Sequence, residues 1–205
     1  MPRRRGLDRD RVLRTALVLV DARGLEALSV RALAAELGVG PMTLYSYVAD
    51  RDDVLAGLVD LLFAGLPPLP RSGPWRRRLE VACADLHAVL AAHPALLPVV
   101  LGRRHRGPAQ LRWMEGVLEV LADAGLDAAG QALAFRLLSS YVTGAAVVGR
   151  HAPAAAGGGA VPASVPTDLP LVTAVREAEA GGCAAGAFEH GLGVVLGGVA
   201  AMRAG

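Results

Sequence analysis

Glycine and proline cut this 205-residue chain into short segments, and inside nearly every segment the apolar side chains recur at helical spacing. Residues 8–23 place Val12, Leu13, Ala16, Leu17, Leu19 and Val20 on one broad stripe, with Asp8 as N-cap and Gly24 as stop. Ser29 precedes a two-turn segment, 30–37, that ends at Gly38. Pro41 suits the first turn of a further helix through Tyr47. Asp50 can cap a fourth helix to about Leu66, where Pro67, Pro68 and Pro70 end it. Beyond Pro74 the helical pattern covers 75–93, 108–124, 127–149 and 186–203, with a short apolar segment at 95–101 and a weak helical pattern over 168–180. No segment alternates as a strand would, and no internal repeat is present. The predicted fold class is all-α. A three-helix helix-turn-helix unit (1–50) leads through a connecting helix (51–66) to a larger helical domain (67–205). The breaker-rich run at 151–167 is expected to be a mobile loop.

Composition supports this division. Aromatics make up 4% of the chain, so the core must be built from small aliphatic side chains, which suits close-packed helices better than a β-sandwich. The blend of Ala, Gly, Arg, Pro, Leu and Val is the one GC-rich codons specify, which points to a GC-rich bacterial genome. All 21 basic residues are arginine. Nine of them fall within residues 1–51 against six acids, a net of +3, while residues 52–205 hold twelve against thirteen, a net of −1. Basic charge is therefore concentrated in the first unit, where Arg3, Arg4 and Arg5 form a candidate flexible arm for a polyanion. No window of about 18 residues is free of charge except the loop-like 151–167, and the start has no export-signal pattern. A soluble, cytoplasmic protein with no membrane partner is expected.

Residues 29–47 read as helix, glycine turn, helix, the arrangement whose second helix can enter a DNA major groove. In PMTLYSYV, Leu44 and Val48 sit four apart and can face inward with Val39. Pro41, Met42, Thr43, Tyr45, Ser46 and Tyr47 then share an exposed face. Two tyrosines and two hydroxyl residues on so short a helix are groups that bind phosphate and meet base edges.

The segment GLEALSVRALAAELGVGPMTLYSYVADRDDVL resembles the DNA-binding domain of TetR-family transcriptional repressors, matching at Gly24, Leu28, Ser29, Arg31, Leu33, Ala34, Leu37, Gly38, Val39, Leu44, Tyr45, Tyr47 and Val48. The resemblance implies that Arg31 reaches a base, commonly guanine, whose O6/N7 pair suits a guanidinium. It implies base-edge or thymine-methyl contacts for Pro41, Met42 and Ser46. Phosphate contacts are implied for Ser29, Thr43, Tyr45, Tyr47 and Arg51, the last standing where the family usually has lysine. Leu28, Leu33, Leu37, Val39, Leu44 and Val48 are implied to be core.

The second half resembles the ligand-binding and dimerisation domain of the tetracycline repressors at Trp75, Leu86 to His93, Val99 to Gly102, Gly125-Leu126-Asp127 and Phe188 to Leu192. It departs at the positions that meet the magnesium–drug complex, which here hold Val100, Val148, Ala82, Leu86 and Val117. Valine cannot ligate magnesium, so tetracycline–magnesium is not the expected inducer. The resemblance implies a pocket lined by Ala82, Leu86, Val100, Leu101, Trp113, Val117, Leu138, Tyr141 and Val148, an apolar wall with few hydrogen-bonding groups. Arg104 and His105 are placed at its mouth. It also implies a homodimer through 127–149 and 186–203, where the glycines would permit close helix approach.

Other chemistry has little support. None of the five histidines pairs with another ligand-type residue on a clear helical face, so no metal site or cofactor is expected. His93, before Pro94, suits a helix end. Cys83, among apolar neighbours, reads as buried and inert. No nucleophile motif is present, so the chain does not read as an enzyme. The expected function is a homodimeric repressor released from a palindromic operator by a small, largely apolar inducer. The alternative is a DNA-binding regulator of the same fold that is controlled by a protein partner or has no small-molecule inducer.

Overall fold

The computed structural model describes residues 7–102, 107–149, 169–178 and 186–202, and these form ten α-helices with no strand among them. Arg3, Arg4, Arg5, Arg104, His105 and the 151–167 loop expectation lie outside the described residues. α1 (Arg9–Arg23) is capped by the Asp8 carboxylate, which accepts from the Arg11 amide at 2.8 Å. α2 (Val30–Leu37) is capped by Ser29 and stopped by Gly38, which adopts the left-handed conformation (φ 67°, ψ 33°) that glycine reaches without a Cβ penalty. α3 (Pro41–Leu44) is a single turn, shorter than the helix to Tyr47 that the sequence suggests. The Ser46 and Tyr47 amides bond three residues back, to Thr43 and Leu44, so the chain tightens after one α-turn. α4 (Arg51–Ala64) is capped by Asp50.

The remaining helices are α5 (Trp75–Ala92), α6 (Leu97–Leu101, after a 3-10 turn at Pro94–Leu96), α7 (Pro108–Asp123), α8 (Ala128–Gly149), α9 (Pro170–Ala178) and α10 (Ala187–Ala201). α8 is long and apolar enough to cross a bilayer by length and composition, yet it packs against α5, α7 and α10.

Two cores result. In the first, Leu33, Leu44 and Leu58 are fully shielded from solvent. In the second, Leu79, Leu90, Leu121 and Leu196 are. Each such leucine contributes about 1.5–3 kcal/mol of burial free energy. α4 belongs to both: Val54, Leu55, Leu58 and Leu62 face the first core, Val59 and Phe63 the second. The second half also reaches into the first core, through Leu96 after α5. Beside it, His93 ends α5, and its Nδ1 meets the Asp21 carboxylate of α1 at 2.9 Å. Cys83 is buried, and burial pushes its thiol up to about 12.

Candidate nucleic-acid interface and cavity

Burial of Leu33, Leu44 and Val48 fixes how α2 and α3 cross, and it turns the predicted contact residues outward. Arg31, Pro41, Thr43 and Ser46 are exposed, Met42 is 80% exposed and Tyr45 51%; Tyr47 is half-buried. Leu28 is buried with the core leucines, whereas Leu37 and Val39 pack at its edge. The Ser29 oxygen accepts from the Ala32 amide at 3.1 Å, which leaves its hydroxyl hydrogen to donate outward. Arg51 is differently engaged. Its Nε donates to the Leu28 carbonyl and its Nη2 to the Leu25 carbonyl, both at 2.9 Å, so the fork braces the turn that enters α2.

A brace that sequence reading missed holds the end of the recognition segment. Arg9 donates through Nη1 to the Tyr47 carbonyl at 2.7 Å and grips Asp53 through both terminal nitrogens. Asp53 also accepts from the Ala49 amide. The hydrogen bond from Arg9 holds the Asp53 carboxyl below its ordinary value, and the same bond raises the Arg9 guanidinium. The partners lie 44 residues apart, and no spacing rule connects them.

A cavity of about 700 Å³, partly open to solvent, lies among α4, α5, α6, α7 and α8. Its size lies within the range of small-molecule sites. Leu86, Val100, Leu101, Trp113 and Val148, five of the expected lining residues, border it. Ala82, Val117 and Leu138 do not: they are packed into the core, where the neighbouring face of each helix meets other helices. Tyr141 also lies off the cavity. Its hydroxyl donates to the Ala187 and Phe188 carbonyls of α10, and its ring stacks near Phe188. Nor is the wall as apolar as expected. α8 brings Arg136, Ser139, Ser140 and Thr143 to it, and α7 brings Gln110. Phe63, Trp113 and Phe135 form the aromatic side in two edge-to-face steps, with centroids 5.5 and 6.4 Å apart.

α4 meets the cavity wall through Phe63 and again, at the start of α7, through Asp60. Asp60 Oδ1 accepts from the backbone amides of Ala109 (2.7 Å) and Gln110 (3.1 Å), capping α7 from another helix. Gly107 makes this possible, since a Cβ there would fall on the Asp60 carboxylate. Among the described residues no cluster of three or more His, Cys, Asp or Glu is placed to hold a metal ion.

An apolar face remains on the outside of α8 and α10. Leu133 and Leu137 on α8 and Val194 on α10 are exposed, and Gly197 and Gly198 border open space. The α10 glycines therefore differ in role. Gly191 packs within the chain, because a Cβ would collide with the Tyr141 hydroxyl, and the Gly193 carbonyl accepts from Arg76 Nη2 at 2.8 Å.

Comparison with known proteins agrees with this architecture. A family model of "Bacterial regulatory proteins, tetR family" matches residues 12–58, and one of the "Tetracyclin repressor-like, C-terminal domain" matches residues 67–203. Over 139 residues the chain is 37% identical to the HTH-type transcriptional repressor DrrR1 of Streptomyces coeruleorubidus, an alignment covering 67% of this chain and 52% of that protein. The chain thus spans about half the length of that relative. Tetracycline repressor protein class C of Escherichia coli is 30% identical over 205 residues, covering 96% of this chain and 92% of that one. Apo ActR from Streptomyces coelicolor superimposes with a TM-score of 0.82 at 30% identity, covering 97% of each chain. ActR in complex with actinorhodin gives 0.81 at 30% identity, covering 95% of this chain and 96% of that one. On fold, motif and both family matches, the chain belongs to the TetR family of bacterial regulatory proteins.

Proposed function

We propose that this protein is a cytoplasmic transcriptional repressor that binds a palindromic operator as a homodimer and is released by a small molecule held in the α4–α8 cavity. The observation that carries the reading is the cavity itself, walled partly by the helix whose first turn grips the recognition segment. A regulator controlled only by a protein partner has no need of it. Two-fold symmetry sets two α3 segments in successive major grooves. The exposed strips of α8 and α10 supply an apolar patch for the second copy. Arg31, Pro41, Met42 and Ser46 are assigned to base edges. Ser29, Thr43, Tyr45 and Tyr47 are assigned to phosphates, whereas Arg51, which the resemblance also placed there, is taken up by bracing the entry to α2.

The inducer is largely apolar and aromatic, with a polar edge toward Arg136, Ser139 and Ser140, and binds without a metal. Such a molecule shifts the population toward a form that no longer fits the groove spacing, to the extent that it binds that form more tightly. Selection of binding sites from random DNA, followed by release assays with and without magnesium, tests the reading. Recovery of a palindrome that apolar compounds release without metal supports it. Failure to enrich any sequence, or release by tetracycline only with magnesium, refutes it.

A further inference from the structure

The recognition segment is too short to hold its own shape. α3 is a single turn of four residues, below the roughly 12–15 residues at which an isolated helix begins to persist, and residues 45–50 continue as turns and bends. Leu44 and Val48 anchor its inner side in the first core. Two buried side chains fix the depth of the segment but leave it free to roll about the line that joins them. The other hold is a closed ring of hydrogen bonds. Arg9 Nη1 donates to the Tyr47 carbonyl at 2.7 Å and to Asp53 Oδ2 at 2.9 Å, and Nη2 donates to Asp53 Oδ1 at 2.6 Å. Asp53 Oδ2 also accepts from the Ala49 amide at 2.9 Å, so the ring runs from α1 through residues 47–49 to α4 and back. Both hydrogens of Nη1 are spent inside the protein, and the cationic charge is matched by the Asp53 carboxylate.

We propose that Arg9 is a positioning residue for DNA reading: its fork locks the roll of residues 41–47 so that the side chains on their outer face meet base edges in register. The proposal rests on the assignment of α3 to the major groove, and it gives Arg9 no phosphate contact of its own. A binding constellation has to be held to within about 0.5 Å of its working geometry, so base contacts are the first lost when the segment rolls. Attraction to the DNA backbone depends on charge and survives such a shift. Arg9 therefore governs sequence preference rather than overall attraction. Lysine is no substitute, because one ammonium cannot grip both carboxylate oxygens and reach the Tyr47 carbonyl as the planar fork does.

The probes are a duplex that the parent protein selects from random DNA and a scrambled duplex of the same length and composition. Affinities are read by fluorescence anisotropy of labelled DNA over a salt series. Each variant is assayed well below its melting temperature, which circular dichroism supplies. Arg9→Lys, which keeps the charge, should bind the selected duplex more weakly by about tenfold or more and the scrambled duplex within about threefold of the parent. Arg9→Met combined with Asp53→Asn removes both charges together and keeps an oxygen for the Ala49 amide. The pair should lose preference to the same degree with its logarithmic salt slope nearly unchanged, whereas a lost phosphate contact would lower the slope by about 0.9. A change in stability alone would leave both affinities of the folded protein where they were. Less than a tenfold loss by Arg9→Lys on the selected duplex, or an equal loss on both duplexes, overturns the positioning role and leaves α3 as the reading segment. A fall of about 0.9 in the slope of the double variant makes Arg9 a phosphate contact and overturns it as well. If the parent enriches no sequence, the assignment of α3 to the groove falls first and this proposal falls with it.

Discussion

Replacing Arg51 by alanine separates two roles open to the same side chain, and the structure assigns a magnitude to one of them. The guanidinium makes two charge-assisted hydrogen bonds to carbonyls at the entrance of α2, one part-buried to Leu28 and one exposed to Leu25. Bonds to a charged group contribute about 1.5–3 kcal/mol when shielded, and the exposed one is largely replaced by water. The low end for the first and about half of it for the second give a loss of about 2 kcal/mol. For a protein of this size each kcal/mol lowers the melting temperature by about 2–4 °C, so a fall of about 4–8 °C is expected by far-UV circular dichroism. Arg51→Lys should fall nearly as far, since an ammonium cannot span two carbonyls as the planar fork does. The logarithmic salt dependence of operator affinity should meanwhile change by well under the value of about 0.9 that one lost phosphate contact would produce. Unchanged melting with a full unit lost from the salt slope would refute the bracing argument and return Arg51 to the DNA backbone.

Arg31→Ala should cost about 1–3 kcal/mol of operator affinity and relax preference at one base pair, whereas Tyr45→Phe should weaken all sequences alike; binding-site selection with each variant distinguishes them. Gly191→Ala should destabilise the fold by about 1–3 kcal/mol in urea unfolding, because the new methyl displaces the Tyr141 hydroxyl from the α10 carbonyls. Leu137→Asp combined with Val194→Asp should give a monomer by light scattering with its melting temperature nearly kept, since both side chains are already exposed within the single chain. In a Cys183→Ser background, Cys83 should resist a disulfide reagent at pH 8 until the protein unfolds. Its folded value, about 12, lies above the 9.0 of an exposed thiol, so this burial favours folding fully below pH 9 and loses its effect as pH rises from there toward 12.

Local signals carried most of the helix pattern. Asp8, Ser29 and Asp50 cap the helices that follow them, and the Gly38 turn takes the left-handed conformation a C-cap needs. The outward set Arg31, Pro41, Met42, Thr43, Tyr45 and Ser46 followed from two inward positions four residues apart, Leu44 and Val48. What was illegible is what depends on distant partners. Arg9 with Asp53 and Asp60 with Gln110 join positions 44 and 50 residues apart, and nothing in the local pattern of either partner announces the other. The cavity lining was legible only in part for a geometric reason. Successive residues on a helix turn by about 100°, so Val117 and Leu138 face the core while Leu118 and Ser139, one step on, face the cavity. That same rotation hid the polar stripe of α8.

The division of α4 between two cores has a consequence for how such chains exchange parts. Leu58 and Leu62 complete the first core while Val59 and Phe63, next to them in sequence, complete the second. A recombination event that joins a new second half at residue 50 strips the first half of the helix that closes its core. One that cuts at residue 66 brings a foreign surface against Val59, Phe63 and the Asp60 carboxylate. Neither cut is clean. A hybrid that keeps both cores packed requires matched changes along a fourteen-residue helix, so an exchange has to carry α4 together with the side chains it meets on either side.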